Sequence, residues 1–185
     1  SEEEDPARLV VKGKPALLRA FDRLCELIAK VEAVRRAGAD AEAVLDAANP
    51  VLRAIRDFVS ATSAAGPSPC VGALFYRPFE TAMYARTKLL EGEAVSGDLR
   101  EALRRDVVDD ATDVIKLTKD PVRQAAAYGT RGKAKAMKKK ADAVADYRAG
   151  LAALRRGGRG GGGGLRDDDN NDDDDREGKK KDDDI

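Results

Sequence analysis

Apolar residues recur with α-helical spacing over most of residues 15–156. The clearest segment is about residues 15–37, where they recur at intervals of three and four and form one stripe along a helix. Pro15 suits the first turn of this helix, and Gly38 ends it. The stripe expected to face the core comprises Leu17, Phe21, Leu24, Ile28 and Val31.

A second helix is predicted to start at Asp40, whose carboxylate can accept hydrogen bonds from the free backbone N–H groups of the first turn. Asn49-Pro50 is expected to bend or interrupt it. The following residues 64–78 are rich in Gly and Pro, so we expect an irregular connection that packs across the end of the helices. The inner face of the second helix should comprise Val44, Ala48, Leu52, Ile55 and Val59.

The second half of the chain predicts three further helical parts. Pro78 can begin a short helix that reaches Leu90, and a longer helix follows over about residues 98–117. Asp120-Pro121 starts another segment, which should break at residues 129–132 before a last helix over about residues 133–155. The inner stripe of the 98–117 helix should comprise Leu99, Leu103, Val107, Ala111, Val114 and Leu117. The stripe of the last helix should comprise Met137, Ala141, Val144, Tyr147, Leu151 and Leu154.

These patterns predict an all-α fold, an up-down four-helix bundle formed by residues 15–156. Residues 1–14 are acidic and interrupted by proline, which predicts an irregular N-terminal arm. Residues 157–185 contain five consecutive glycines and runs of aspartate, a composition that cannot form a core and predicts a flexible, disordered tail.

Composition narrows the classes of function. Apolar residues are 42% of the chain, aromatic residues only 4% and tryptophan is absent, which is typical of a helical bundle built from Ala, Leu and Val. The chain has no histidine, which removes the commonest general base and metal ligand. We therefore predict a non-enzymatic protein with no catalytic site, cofactor or metal. No apolar run is long enough to span a membrane, and the two cysteines, Cys25 and Cys70, can form one bridge or remain thiols.

Four aspartates lie in the 98–117 helix: Asp106, Asp109, Asp110 and Asp113. Their spacing places three carboxylates along one side of the helix, an arrangement that could serve acid–base chemistry or hold a divalent cation. Di-iron bundles also need histidine ligands, which this chain lacks. A solvated helix face is the favoured interpretation.

Basic residues are concentrated in residues 119–156, which carry 11 basic and 3 acidic side chains, whereas residues 157–185 carry 6 basic and 11 acidic. The lysines predicted to bind a partner are Lys133, Lys135, Lys138, Lys139 and Lys140. They could grip the phosphates of a nucleic acid, dock on an acidic protein or membrane, or form a solvated face. No aromatic residue interleaves with them, which disfavours nucleic acid.

The segments "DDATDVIKLTKDPVRQAAAYGT" and "KKKADAVADYRAGLAAL" resemble the C-terminal half of the PsbQ-like extrinsic subunits of photosystem II. That resemblance implies a four-helix bundle in the chloroplast thylakoid lumen that has no enzymatic activity. Such subunits dock on the membrane complex and help it retain calcium and chloride. Residues 138–140 would then correspond to the family's basic surface, and Leu9, Val10 and Val11 to its docking arm.

The predicted function is therefore that of a non-catalytic accessory subunit, which docks peripherally on a large membrane-associated complex, a photosystem, and stabilises it. Its partner-binding residues would be the five lysines together with Leu9, Val10 and Val11. The alternative prediction is a nucleic-acid-binding accessory protein that acts through the basic last helix.

Overall fold

The structure, a computed structural model, describes residues 15–62, 69–92 and 95–159, and within these ranges all regular structure is helical. This confirms the all-α prediction. The predicted arm, with Leu9, Val10 and Val11, and residues 160–185 of the predicted tail lie outside the described residues. The helices in the described ranges are α1 (Pro15–Arg36), α2 (Ala41–Thr62), α3 (Pro69–Glu91), α4 (Gly97–Leu117), α5 (Pro121–Ala136), a 3-10 helix (Lys140–Ala143) and α6 (Val144–Arg159).

The predicted signals for helix starts and stops are confirmed at three places. Asp40 caps α2, because its Oδ1 accepts a hydrogen bond of 2.8 Å from the backbone N–H of Ala43. Asp120 caps α5 in the same way, with its Oδ1 2.9 Å from the nitrogen of Val122. Gly38 follows α1 with φ +73°, in the left-handed region that favours glycine.

The third helix begins earlier than predicted. It starts at Pro69, so the irregular connection expected over residues 64–78 is wrong from residue 69 onward, and Pro78 lies inside the helix. An interior proline removes one backbone hydrogen bond but does not prevent helix on both sides of it. Here Pro78 and its neighbours Phe75 and Phe79 are buried, and this burial offsets the lost bond. Pro50 lies inside α2 in the same manner.

Consecutive helices pack against each other along the chain, and α1 also contacts α3. The core of the first half contains three aromatic rings, with centroid separations of 6.2 Å for Phe21–Phe58, 5.9 Å for Phe21–Phe75 and 5.6 Å for Phe58–Phe75. These distances suit tilted and edge-to-face aromatic contacts. The rings therefore join α1, α2 and α3 into one packed unit.

The predicted stripes of the early helices face the core. The buried side chains of α1 are Phe21, Leu24, Ile28 and Val31. Those of α2 include Val44, Ala48, Leu52 and Ile55, and those of α4 include Leu103, Val107, Ala111 and Val114. Leu99, predicted inside, is 60% exposed. Cys25 is half-buried and packs against this core, whereas the side chain of Cys70 lies outside the described part.

The C-terminal region differs from its prediction. Helix α5 continues through the expected break at residues 129–132, and the chain instead leaves the helix after Ala136. The single last helix predicted over residues 133–155 is therefore wrong. Helix α6 includes residues 157–159, which the sequence predicts as part of the tail. None of the helices in the described ranges is long and apolar enough to cross a membrane.

Candidate partner-binding surface

Helix α6 packs on α5 through small side chains. The buried residues along this contact are Ala143, which precedes α6, and Asp146, Gly150 and Ala153 within it. A Cβ atom at Gly150 would lie 3.3 Å from the carbonyl oxygen of Ala125 and 3.4 Å from Cβ of Tyr128, so the two helix backbones approach closely there. Small residues are the ones that permit such an approach, and elsewhere along the contact Gly132 of α5 lies against the ring of Tyr147.

The buried carboxylate of Asp146 anchors α6 to α5. Its Oδ1 accepts a 2.7 Å hydrogen bond from Arg131, and Nζ of Lys135 lies 2.9 Å from its Oδ2. Arg131 also donates to the hydroxyl of Thr112 on α4, at 3.1 Å. Burial opposes ionisation of Asp146, but the hydrogen bonds from Arg131 and Lys135 outweigh it, so the pKa lies below its ordinary value.

The large apolar side chains of α6 do not enter the core. Val144, Tyr147, Leu151 and Leu154 are 45%, 44%, 57% and 47% exposed, and we call these four residues the α6 stripe. At 3.6 residues per turn they fall within about 80° of the helix circumference. The prediction that they face inward is therefore wrong, because the small-residue side of α6 makes the contact with α5. About half of each stripe side chain is exposed, and the ring of Tyr147 also lies against Gly132 of α5.

Basic side chains border the α6 stripe. Arg148 and Arg155 are exposed, and helical geometry places them beside the stripe on the side away from α5. Helix α6 thus carries the apolar α6 stripe and, beside it, the positive charges of Arg148 and Arg155. This combination is typical of helices that bind acidic, partly apolar surfaces.

The five predicted lysines occupy different environments. Lys133 pairs with Glu91, and Lys135 is used in the anchor at Asp146. Lys138 lies 3.8 Å from Glu101 and remains largely exposed. Lys139, just before the 3-10 helix, and Lys140, its first residue, are both exposed. Residues 138–140 therefore provide the accessible positive charge, next to the beginning of α6.

The α4 carboxylates, predicted to form a solvated face, are partly buried between helices. Asp110 is buried and accepts a hydrogen bond from Arg86, which also donates to Oδ1 of Asn49 at 2.5 Å. Arg56 contacts Asp113 at 2.8 Å and Asp110 at 3.4 Å. The solvated-face interpretation is wrong for Asp110. The sequence did not indicate that Arg56 and Arg86 lie beside these aspartates, since both arginines are far away along the chain.

Burial raises the pKa of Asp110 to about 7, against the attraction of Arg86 and Arg56, which lowers it. A buried carboxylate with a raised pKa is sometimes a catalytic acid. Here no buried side-chain nitrogen or oxygen atom of the described residues lacks a hydrogen-bond partner, and the group closes a contact between α2, α3 and α4. The arrangement is a buried ion pair that links three helices.

Groups of three or more side chains suited to hold a metal ion are absent from the described residues. The residues of the α6 stripe are functional candidates that the sequence analysis placed in the core. An apolar stripe has the same spacing in the sequence whether or not another helix covers it.

Comparison of the chain with protein-family models, with curated proteins and with solved structures finds no match.

Proposed function

We propose that this protein is a non-catalytic accessory subunit that docks on a larger, membrane-associated protein assembly through the α6 stripe. The observation that carries the proposal is the partial exposure of all four large apolar residues of the stripe, on a helix whose neighbouring face already packs on α5. Contiguous exposed apolar side chains rimmed by charge mark interaction sites in folded proteins.

The partner surface should offer an apolar groove with an acidic rim. Leu151 and Leu154 would enter the groove, as anchors of an amphipathic helix do. Arg148, Arg155 and residues 138–140 would meet the acidic rim. Opposite charge at the rim accelerates the encounter and selects the partner, whereas the buried apolar anchors supply most of the affinity.

Two finer parts of the proposal concern topology and location. We propose that successive helices alternate in direction, up and down, since short connections join neighbours that pack together. The assignment to a photosystem in the thylakoid lumen rests on the sequence resemblance to the PsbQ-like subunits. The arm with Leu9 to Val11 would provide a second contact with the same assembly.

A rebinding experiment with matched variants tests the role of the α6 stripe. Membranes from the native cells are washed free of the protein, and purified wild-type or variant protein is added back. We expect Leu151→Ser with Leu154→Ser to weaken rebinding by about tenfold or more, since each buried leucine contributes roughly 1.5–3 kcal/mol. The control pair is Leu99→Ser with Val122→Ser, because these residues are as exposed as the stripe, at 60% and 64%, and lie outside it.

Equal rebinding of both double variants would refute docking through α6. A photo-cross-linking residue at position 151 should label one protein of the assembly, while the same residue at exposed Glu26 on α1 should not. Washing at about 1 M salt, where the Debye length is about 3 Å, should release part of the bound protein. Release by detergent alone would contradict a peripheral, partly electrostatic attachment.

A further inference from the structure

A second apolar surface lies between the first two helices. The first turns of α1 and the last turns of α2 form the walls of a groove there, with a volume of about 360 Å³. Leu24 and Phe58 are buried at its floor. The groove is therefore mainly aliphatic, with one aromatic ring. The remaining apolar residues that line it are Leu17, Ala20, Leu27, Ala54 and Ala61.

Small and charged side chains form the rim of the groove. Arg23 of α1 and Asp57 of α2 are exposed there, one on each wall. Ala20 and Ala61 are exposed as well, and their small side chains leave the space between the two helices open. A few aliphatic side chains that entered this space would cover the floor and remove its apolar surface from water.

The chain carries such side chains directly before α1. Leu9, Val10 and Val11 are three consecutive aliphatic residues in an otherwise polar segment. Residues 12–14 alone separate them from Pro15, the first residue of α1. Burial of these three side chains is favourable, and the groove is an apolar surface close to them along the chain.

The length of the connection matches the distance to the groove floor. An extended chain spans at most about 3.3–3.6 Å per residue, so Val11 can lie up to about 14 Å from Pro15. An α-helix rises 1.5 Å per residue, which places Leu24 about 14 Å along α1 from Pro15. Gly13 in the connection can adopt the backbone angles that a sharp reversal needs. The aliphatic residues can therefore turn back alongside α1 and reach the floor.

Tethering favours the chain's own arm over a separate molecule as the occupant. A segment joined by a short connection is present at an effective concentration of about millimolar, whatever the concentration of the protein. Charge acts in the same direction, since the cations Arg8 and Lys12 flank the aliphatic residues and suit the carboxylate of Asp57 on the rim.

We propose that Leu9, Val10 and Val11 of the N-terminal arm occupy the groove between α1 and α2 of their own chain in the free subunit. There they cover Leu24 and Phe58. The same three residues can contact a larger assembly only after they leave the groove, so the groove and the assembly compete for them. Occupation of the groove is a property of the subunit alone and is independent of docking through the α6 stripe, so either proposal can fail without the other.

The absence of tryptophan from the chain permits a direct test. In the full chain with Leu9→Trp the introduced indole is the only one, and its apolar ring should lie in the groove. We expect acrylamide to quench its fluorescence several-fold less than that of Ser1→Trp, in which the indole stands at the chain terminus. Circular dichroism of both variants should show the helix content of the wild type.

Filling the groove should release the introduced indole. Ala20→Glu with Ala61→Glu places two charged side chains over the groove floor, at positions that are exposed and helical. Surface substitutions of this kind leave the fold intact. In this background the tryptophan of Leu9→Trp should be quenched as readily as that of Ser1→Trp.

The matched control for the groove variant is Ala29→Glu with Ala43→Glu. It adds the same charge to α1 and α2 at exposed positions that do not line the groove. Quenching of the introduced tryptophan should stay as low as without the control pair. An equal rise in quenching with the control pair would show a general effect of charge and would refute occupation of the groove.

Three further results would overturn the proposal: quenching of Leu9→Trp as strong as that of Ser1→Trp, protection that survives Ala20→Glu with Ala61→Glu, and protection that is lost on dilution of the protein. The first would show that the arm leaves the groove uncovered. The second would show that the arm lies on another surface, and the third that the groove takes the arm of a second copy.

Discussion

The buried pair of Arg86 and Asp110 should give two single variants with opposite dependence on pH. Arg86 is 8% exposed and Asp110 2%, and the pair joins α3 to α4. Removing one partner of a buried ion pair destabilises a protein by about 3–5 kcal/mol where the other charge is left alone, and here by less, about 1–3 kcal/mol, because Arg56 still contacts Asp110 and Asp106 still lies 3.6 Å from Arg86. We therefore expect Arg86→Met and Asp110→Leu each to lower the free energy of unfolding by about this amount near neutral pH.

The sign of the pH dependence follows from the Asp110 carboxyl. Its pKa in the folded protein is about 7, above the ordinary value of 3.8, so the folded state binds its proton more tightly than the unfolded state does. This contribution to stability is complete below pH 3.8 and is lost as the pH rises towards 7. Between pH 6 and 8 the loss amounts to about 1.4 kcal/mol.

The Asp110→Leu variant lacks this titration, so its destabilisation relative to wild type should shrink by about 1.4 kcal/mol from pH 6 to pH 8. The Arg86→Met variant keeps the carboxyl but loses an attraction that lowers its pKa. The pKa of Asp110 in this variant should then rise further. Each additional pKa unit lowers the free energy of unfolding by about 1.4 kcal/mol at pH values above the new pKa. The destabilisation by Arg86→Met should therefore grow with pH.

Urea unfolding followed by far-ultraviolet circular dichroism at pH 6, 7 and 8 measures both trends. The double variant Arg86→Met, Asp110→Leu should be less destabilised than the sum of the single variants, since two apolar side chains can replace a buried pair. Arg53→Met, at an exposed position on α2, is the control and should stay within about 0.5 kcal/mol of wild type. If the destabilisation by Asp110→Leu grew towards alkaline pH instead, the pKa of Asp110 would be lowered by its partners and the reasoning would be refuted.

Three shorter predictions concern the C-terminal region. Gly129→Ala should stabilise α5 by up to about 1 kcal/mol, as expected for a helical glycine with open space around it. Gly132→Ala should not stabilise α5, because its Cβ would lie 2.7 Å from the Tyr147 ring. Equal melting temperatures of the two variants would contradict this close contact. Asp146→Asn should destabilise at neutral pH, with the difference from wild type fading as the pH falls through the lowered pKa of Asp146 in acid unfolding curves. Replacing residues 138–140 by glutamine should abolish any salt-dependent retention of RNA on filters if the nucleic-acid alternative holds, and a flat salt response of the wild type would remove that alternative.

The first half of the fold was largely predictable because its apolar stripes are both periodic and buried. Phe21, Leu24 and Ile28 recur at helical spacing and meet side chains of the same kind. The start of α3 was missed because Gly and Pro usually end helices, whereas Pro78 is tolerated inside one. Local sequence rules carry no information about the tertiary packing that offsets such a proline.

The positive charge of the candidate surface could be predicted from the sequence, but the exposure of its apolar residues could not. The run of lysines at residues 138–140 shows directly in the sequence, and the structure leaves these residues accessible. The stripe with Leu151 and Leu154 has the same period as a core stripe. Which side of α6 meets α5 is decided by backbone approach at Gly150, a three-dimensional property. The ion pairs of Arg86 and Arg56 could not be predicted for a related reason, since their partners are distant in sequence.

The packing of each helix mainly on its sequence neighbours has a kinetic consequence. Contacts between adjacent segments require closure of only short loops, and proteins dominated by such local contacts fold in microseconds to milliseconds. Newly synthesised chain can therefore assemble helix by helix as it emerges. The last helix packs mainly on α5, so its amides should exchange together as one unit, and more readily than those of α3 and α4 at the centre of the helix order.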